Sequence, residues 1–251
     1  MKFINSQLQK SASDLSNYLG CSHLSRLDLS VAMVKRKAPD WQDPASAILA
    51  QRGQEHEDSY VKFLKDKGLN VVDLNGQPTE ATVAAMKNGA DVITQANLGN
   101  ESWVGRADFL IKVPGTSRFG NWAYEIEDTK LAQETKAGTI LQLSLYTDLL
   151  EQLQGFAPKN MTVVKPGNGF EKEIFLVSDF SAYYRLVKKS FESYLTETNP
   201  QTYPYPVAHC DYCRWWKECD DKRRADDHLS LVAGMRSLQM VELEKHNITK
   251  L

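Results

Sequence analysis

The chain has 251 residues, of which 42% are hydrophobic and 25% charged, and a formal net charge of −2. Such values exclude a disordered or fibrous polypeptide. No run approaches the roughly 18 apolar residues of a membrane span, and the opening MKFINSQLQK lacks the apolar core of a signal peptide.

The expectation is therefore a cytoplasmic chain with no membrane partner. Its length suits one large α/β domain with a substantial core, taken here as a single domain over 1–251. Near-neutral charge offers a polyanion no attraction to the molecule as a whole, so any nucleic-acid binding must come from local basic patches and bound metal.

In chain order, a possible cap at Ser13 with Leu15, Tyr18 and Leu19 predicts a short helix ending near Gly20. Leu49, Gly53, His56, Tyr60 and Phe63 recur at helical spacing and predict a helix over 44–67 with His56 on its inward face. LNVVDL reads as a strand, TEATVAAMKNG as a helix stopped by Gly89, and VITQANL as another strand. WVGRADFLIKV and NWAYEIEDTK, joined by the turn-rich PGTSRFG, predict a β-hairpin. Ile140, Leu141, Leu145, Leu149 and Leu150 give a helix over 137–154 one buried face. NMTVVKP and KEIFLV add two strands, and FSAYYRLVKKSFESYL a further helix. The run at 199–206, NPQTYPYP, is an extended connector. This order implies an α/β fold, a mixed β-sheet flanked by helices.

Asp128 and Lys130 stand two apart, so on a strand they share a face. Folding the hairpin about Arg118 sets Asp108 opposite Asp128. Two facing carboxylates repel unless a cation lies between them, and oxygen ligands suit Mg2+ or Mn2+. The plainer reading is that Asp128 is an edge or turn residue in an exposed pair with Lys130. Glu125 and Glu127 are second-choice ligands, because they lie on the other face under strict alternation. His56 on an apolar helix face is as a rule a core histidine rather than a ligand. Gln142 and Tyr146 lie one turn apart and share a face, where core packing and solvation are the ordinary roles.

Four cysteines complete the inventory: Cys21, then Cys210, Cys213 and Cys219. Four soft ligands suffice for tetrahedral zinc or a [4Fe–4S] cluster. Zinc sites usually pair their ligands, whereas here one distant cysteine meets a triplet, which favours iron–sulfur. Trp215 and Trp216 are placed to shield a cluster, and His23 and His209 sit beside cysteines.

Taken together, Cys21, RGQEH with Gly53 and His56, GRAD with Gly105 and Asp108, DTK with Asp128 and Lys130, QLSLY with Gln142 and Tyr146, and HCDYCRWWKEC follow one another in an order that resembles the RecB-like branch of the PD-(D/E)XK nucleases. More closely, they resemble its iron–sulfur members, and the resemblance covers nearly the whole chain. It implies a restriction-endonuclease-like core over 44–197, an iron–sulfur clamp from 1–30 and 200–225, and a C-terminal helical extension over 226–251. It further implies a divalent-metal-dependent deoxyribonuclease, with exonuclease action the first expectation, working on single-stranded DNA or free ends in repair, recombination or end processing.

By that resemblance His56, Asp108, Asp128 and the Thr129 carbonyl would bind Mn2+ or Mg2+, and Lys130 would be catalytic. Gln142 and Tyr146 would hold DNA or the active-site water, and Cys21, Cys210, Cys213 and Cys219 a [4Fe–4S] cluster. The chain departs from the pattern in placing His56 only three residues after Gly53 and Glu127 where an apolar residue is usual. Lys35, Arg36, Lys37, Arg52 and Arg106 are candidates for phosphate contact. In similar sequences the last segment leads into a further helical element and a helicase or second nuclease domain, so such a partner is expected and the chain reads as a fragment or a stand-alone version. The competing readings are an inactive DNA-binding scaffold of the same fold and a zinc-stabilised interaction module.

Overall fold

The computed structural model describes residues 1–4, 6–167, 169–198 and 200–250. The chain divides into two compact units, one of Met1–Ser16 with Ala47–Tyr194, the other of Asn17–Ser46 with the residues from Leu195 onward.

The first unit is built on an eight-stranded mixed sheet. Its strands are β1 (Lys2–Ile4), β2 (Gln7–Ser11), β3 (Val71–Asp73), β4 (Val92–Gly99), β5 (Trp103–Ser117), β6 (Gly120–Thr129), β7 (Asn160–Val164) and β8 (Lys172–Leu176). The helices of the chain are α1 (Ala12–Gly20), α2 (Ser22–Ala32), α3 (Pro44–Asp66), α4 (Thr79–Lys87), α5 (Ala137–Gln154), α6 (Val177–Thr196), α7 (Trp216–Ala225) and α8 (Ser237–Lys245).

The predicted hairpin forms in the predicted register: β5 and β6 pair antiparallel from Pro114↔Trp122 to Phe109↔Glu127. The linker is mostly strand, with only Arg118 and Phe119 between the two elements. Across β6 the sheet continues in parallel to β7 and then antiparallel to β8. Strand β4 runs along one edge of β5 from Val92↔Ile111 to Gly99↔Val104. Strands β6 and β2 therefore share the other edge, β2 meeting it at Trp103 and Val104.

Helix α5 buries Ile140, Leu141, Leu145, Leu149 and Leu150, as its periodicity requires. It ends at Gly155, whose left-handed φ of 65° closes the last turn. Helix α3 buries Tyr60 and Leu64 against Val92, Phe109 and Val164, on the opposite face of the sheet from α5. Its first turns behave differently from the prediction: Leu49 is 56% exposed, and so is its neighbour Ile48 at 59%. Ser11 and Asp14, rather than Ser13, close the start of α1, each accepting from the other's backbone N–H. Residues 1–16, expected to belong to a cysteine clamp, instead supply two strands and a helix start to the sheet unit.

The second unit gathers α2, α7 and α8. Leu24, Leu27, Cys213 and Trp215 form its core, with Cys21 and Cys219 packed against them. The connector expected at 199–206 has no regular structure over 200–206, and its first residue, Asn199, lies outside the described residues. The segment expected as a helical extension to the end of the chain is interrupted. A short 3-10 turn spans Leu229–Leu231, Gly234 adopts φ 77°, and only α8 is regular helix; Leu251 lies outside the described residues. Among the described residues no helix is long and apolar enough to cross a membrane.

Candidate functional site

At the end of the hairpin the ladder gives way to side chains. Phe109↔Glu127 is the last β5–β6 pair, and two residues beyond Glu127 the Thr129 N–H donates to Asp108 Oδ2 at 3.3 Å. Asp108 and Asp128 thus come together across the two strands, as the hairpin register requires. Asp128 is 0% exposed. Burial and the adjoining Asp108 carboxylate push its acid up to about 8, and Lys130 offsets this only in part. Lys130 Nζ lies 2.5 Å from Asp128 Oδ2, a close ion pair. Lys130 itself follows the strand, its N–H anchored on Val164 O at 3.1 Å.

Helix α5 completes this face. Gln142 Nε2 reaches Asp128 Oδ1 at 3.5 Å and Tyr146 Oη at 3.3 Å. Tyr146 is nearly buried, and burial, with the charges of Asp128 and Asp108, raises its phenol to about 12. Its ring lies against Gly105, where a Cβ would overlap it. Five residues singled out in the sequence, Asp108, Asp128, Lys130, Gln142 and Tyr146, therefore form one polar cluster, with the Thr129 backbone beside it.

Glu127 faces the other way. It is 4% exposed, accepts from Tyr60 Oη of α3, and pairs with Lys172 Nζ at 2.7 Å. Glu125 accepts from the backbone N–H groups of Lys159 and Asn160 at 2.9 and 3.0 Å. Neither second-choice carboxylate joins Asp128.

His56 lies one turn before Tyr60 on α3, its ring 5.8 Å from Phe170 and its Nε2 buried without a hydrogen-bond partner. The next residue, Glu57, feels Asp108: burial and then the Asp108 charge raise its acid. That turn of α3 is thus near Asp108. Glu57 and Gln95 escaped the sequence reading. Gln95 Nε2 donates to Glu57 Oε1 at 2.5 Å from a left-handed backbone, φ 52°, and no sequence pattern announces such a conformation.

Among the described residues no three His, Cys, Asp or Glu side chains form a group able to hold a metal ion. Two carboxylates are nevertheless a customary protein share for magnesium, which keeps waters and substrate phosphates as its remaining ligands. The buried Asp128 carboxyl and the half-buried Asp108 beside it fit a divalent cation in chemistry and charge.

In the second unit the four cysteines line one cavity together with Trp215. Cys21 caps α2, its Sγ accepting from Leu24 N–H at 3.4 Å. Cys210 Sγ accepts from Val207 N–H at 3.5 Å. Burial pushes the thiols of Cys21, Cys213 and Cys219 up, Cys219 to about 12, and the other cysteines of the group add to each rise. As thiolates, four cysteines grouped in this way would need a cationic centre, which suits the cluster chemistry of the donor set. His23 pairs its Nδ1 with Thr202 Oγ1 at 2.8 Å, and His209 packs edge-on to Tyr212. Trp215 is 1% exposed, and its indole N–H donates to Asp28 at 3.0 Å.

Of the basic candidates, Arg36 is committed to Glu218 at 2.8 and 2.9 Å and Lys37 pairs with Asp40 at 3.4 Å. Lys35, Arg52 and Arg106 are exposed.

No protein-family model matches the chain, and no curated protein matches it. A solved structure titled "Crystal structure of SSO0001" is similar at 14% identity and a TM-score of 0.38, over 87% of this chain and 89% of that one.

Proposed function

We propose that the chain is a divalent-metal-dependent deoxyribonuclease with a restriction-endonuclease-like, RecB-like core, hydrolysing phosphodiester bonds in single-stranded DNA or at free ends. The observation that carries this reading is the buried Asp128 carboxylate held against Asp108 with Lys130 at 2.5 Å. Like charges are kept together inside a protein at a cost that a folded chain has no structural need to bear, and sites of this kind are where function resides. The ordered motifs from Gly53 to Tyr146 support the same assignment by resemblance.

On this reading Asp108 and Asp128 hold one Mg2+ or Mn2+, with His56 and the Thr129 carbonyl as further ligands. When bound, the ion supplies a water of lowered pKa and polarises a phosphate oxygen. Lys130 places a positive charge where negative charge grows on the phosphate. Gln142 offers its amide N–H groups, and Tyr146 its hydroxyl, to orient the attacking water or a phosphate oxygen. The cysteines would hold a [4Fe–4S] cluster, which would order the second unit. A helicase or a second nuclease is the expected partner.

The test is anaerobic purification followed by cleavage of end-labelled single- and double-stranded DNA with Mn2+ or Mg2+. Cleavage that is abolished by chelator and by Asp108→Ala, Asp128→Ala and Lys130→Ala, with the fold retained, is the expected result. DNA binding without metal-dependent cleavage would identify a scaffold instead.

A further inference from the structure

Glu127 stands where an apolar residue would serve the hairpin equally well, yet it is almost completely buried and fully engaged. Tyr60 of α3 donates to one of its oxygens, and Lys172 of β8 reaches the other at 2.7 Å. Lys172 also lies over the Tyr60 ring, 5.7 Å from its centre. Glu127 therefore ties α3 to the strand that carries Asp128 on its opposite face.

A second tie lies one turn back. Gln95 belongs to β4, where the register passes from Thr94↔Phe109 to Ala96↔Ala107 and omits the position opposite Asp108. Its backbone is left-handed, an uncommon state for a non-glycine residue inside a strand, and such outliers persist where the surroundings impose them. The contact made from that conformation is with Glu57. The two ties, at Glu57 and Tyr60, fall within the turn that follows His56, whose Nε2 is buried and without a partner.

We propose that Glu127 and Gln95 are positioning residues that fix the His56 turn of α3 at the Asp108–Asp128 pair. The proposal rests on the nuclease reading in taking Asp108, Asp128 and His56 as ligands of the divalent ion. Groups that hold a metal ligand in place typically change metal affinity by about 10-fold or more when removed.

The experiment measures Mn2+ binding to the full chain without DNA, by calorimetry and by the paramagnetic resonance signal of free Mn2+. Glu127→Leu and Gln95→Gly should each weaken binding about 10-fold. Gln95→Gly should do so without lowering the melting temperature, because glycine accepts the left-handed backbone. Glu127→Gln, which keeps an acceptor for Tyr60, should recover most of the affinity lost in Glu127→Leu.

In a His56→Ala background the same substitutions should change affinity by less than about twofold, since their effect passes through His56. Parental affinity in both Glu127→Leu and Gln95→Gly, beside loss of binding in Asp108→Ala, would overturn the proposal and leave the nuclease reading intact. Equal weakening with and without His56 would overturn it as well. If Glu127→Leu does not fold, Tyr60→Phe together with Gln95→Gly decides: unchanged affinity in both overturns it. A parent chain that binds no Mn2+ removes the nuclease reading and this proposal with it.

Discussion

Gly105 on β5 and Tyr146 on α5 are fitted to each other: a Cβ at 105 would overlap the phenol ring, and the Tyr146 hydroxyl carries the far end of that contact to Gln142, and through it to Asp128. Glycine at 105 thus answers a packing need, close approach of a helix side chain to a strand, rather than a need for an unusual backbone angle.

Gly105→Ala should therefore act through Tyr146. We expect a loss of about 1–3 kcal/mol in stability from overpacking, together with a fall in cleavage larger than that of Tyr146→Phe, which keeps the ring in place. Urea unfolding and single-turnover cleavage on the same preparations check the pair of outcomes. Full activity in Gly105→Ala would show that the ring position does not matter.

Asp108→Asn should make the metal-free protein more stable while abolishing cleavage. The substitution removes the charge that opposes ionisation of Asp128 and keeps the shape of the side chain. Each kcal/mol relieved corresponds to roughly 2–4 °C in melting temperature for a chain of this size. Mn2+ should raise the melting temperature of the parent and leave that of Asp108→Asn unmoved. A metal-free variant less stable than the parent would mean that the two carboxylates do not repel one another.

Cys213→Ser should lose the visible absorption of bound iron and open the second unit. Cys213 is buried in the core made with Leu24, Leu27 and Trp215, so an emptied ligand set leaves thiols in apolar surroundings and no centre to organise them. Limited proteolysis should then cut between residues 195 and 250 at protease levels the parent survives. Unchanged protease resistance in iron-free Cys213→Ser would assign the cluster a role other than folding.

Asp148 provides a pH test outside the candidate site. Burial alone would raise its acid, but hydrogen bonds from Lys188 and Tyr184, both at 2.7 Å, outweigh burial and hold it below the ordinary 3.8. A carboxylate with a depressed folded pKa stabilises above its unfolded value and loses that contribution as pH falls through the folded one. Asp148→Asn should be less stable than the parent at neutral pH, and the gap should close as pH drops below 3.8. Thermal melts across that range test the sign; a gap independent of pH would show that packing, not charge, is what the substitution removes.

Much of this architecture was legible in the sequence because it depends on local periodicity. The apolar stripe of α5, the two long strands around Arg118 and the pairing of Asp108 with Asp128 follow from side-chain periods of 3.6 and 2 about a short turn. The grouping of three cysteines was equally plain from their spacing. Other features required the folded chain. Strands β1 and β2 are short, exposed or half-buried, and join the sheet only where β2 meets β5, far away in sequence, so no local pattern marks them. Helix α3 looked amphipathic throughout, yet only its second half finds a partner surface, which leaves Ile48 and Leu49 exposed. Gln95 is left-handed inside a strand and reaches Glu57 on another element, a pairing that no local pattern marks. Glu127 settles on the face of Tyr60 and Lys172 because strand alternation turns it away from Asp128 while α3 and β8 bring partners to it. Local sequence sets which residues can share a face, whereas the packing of distant elements decides which of those faces acquires a partner and which becomes a site.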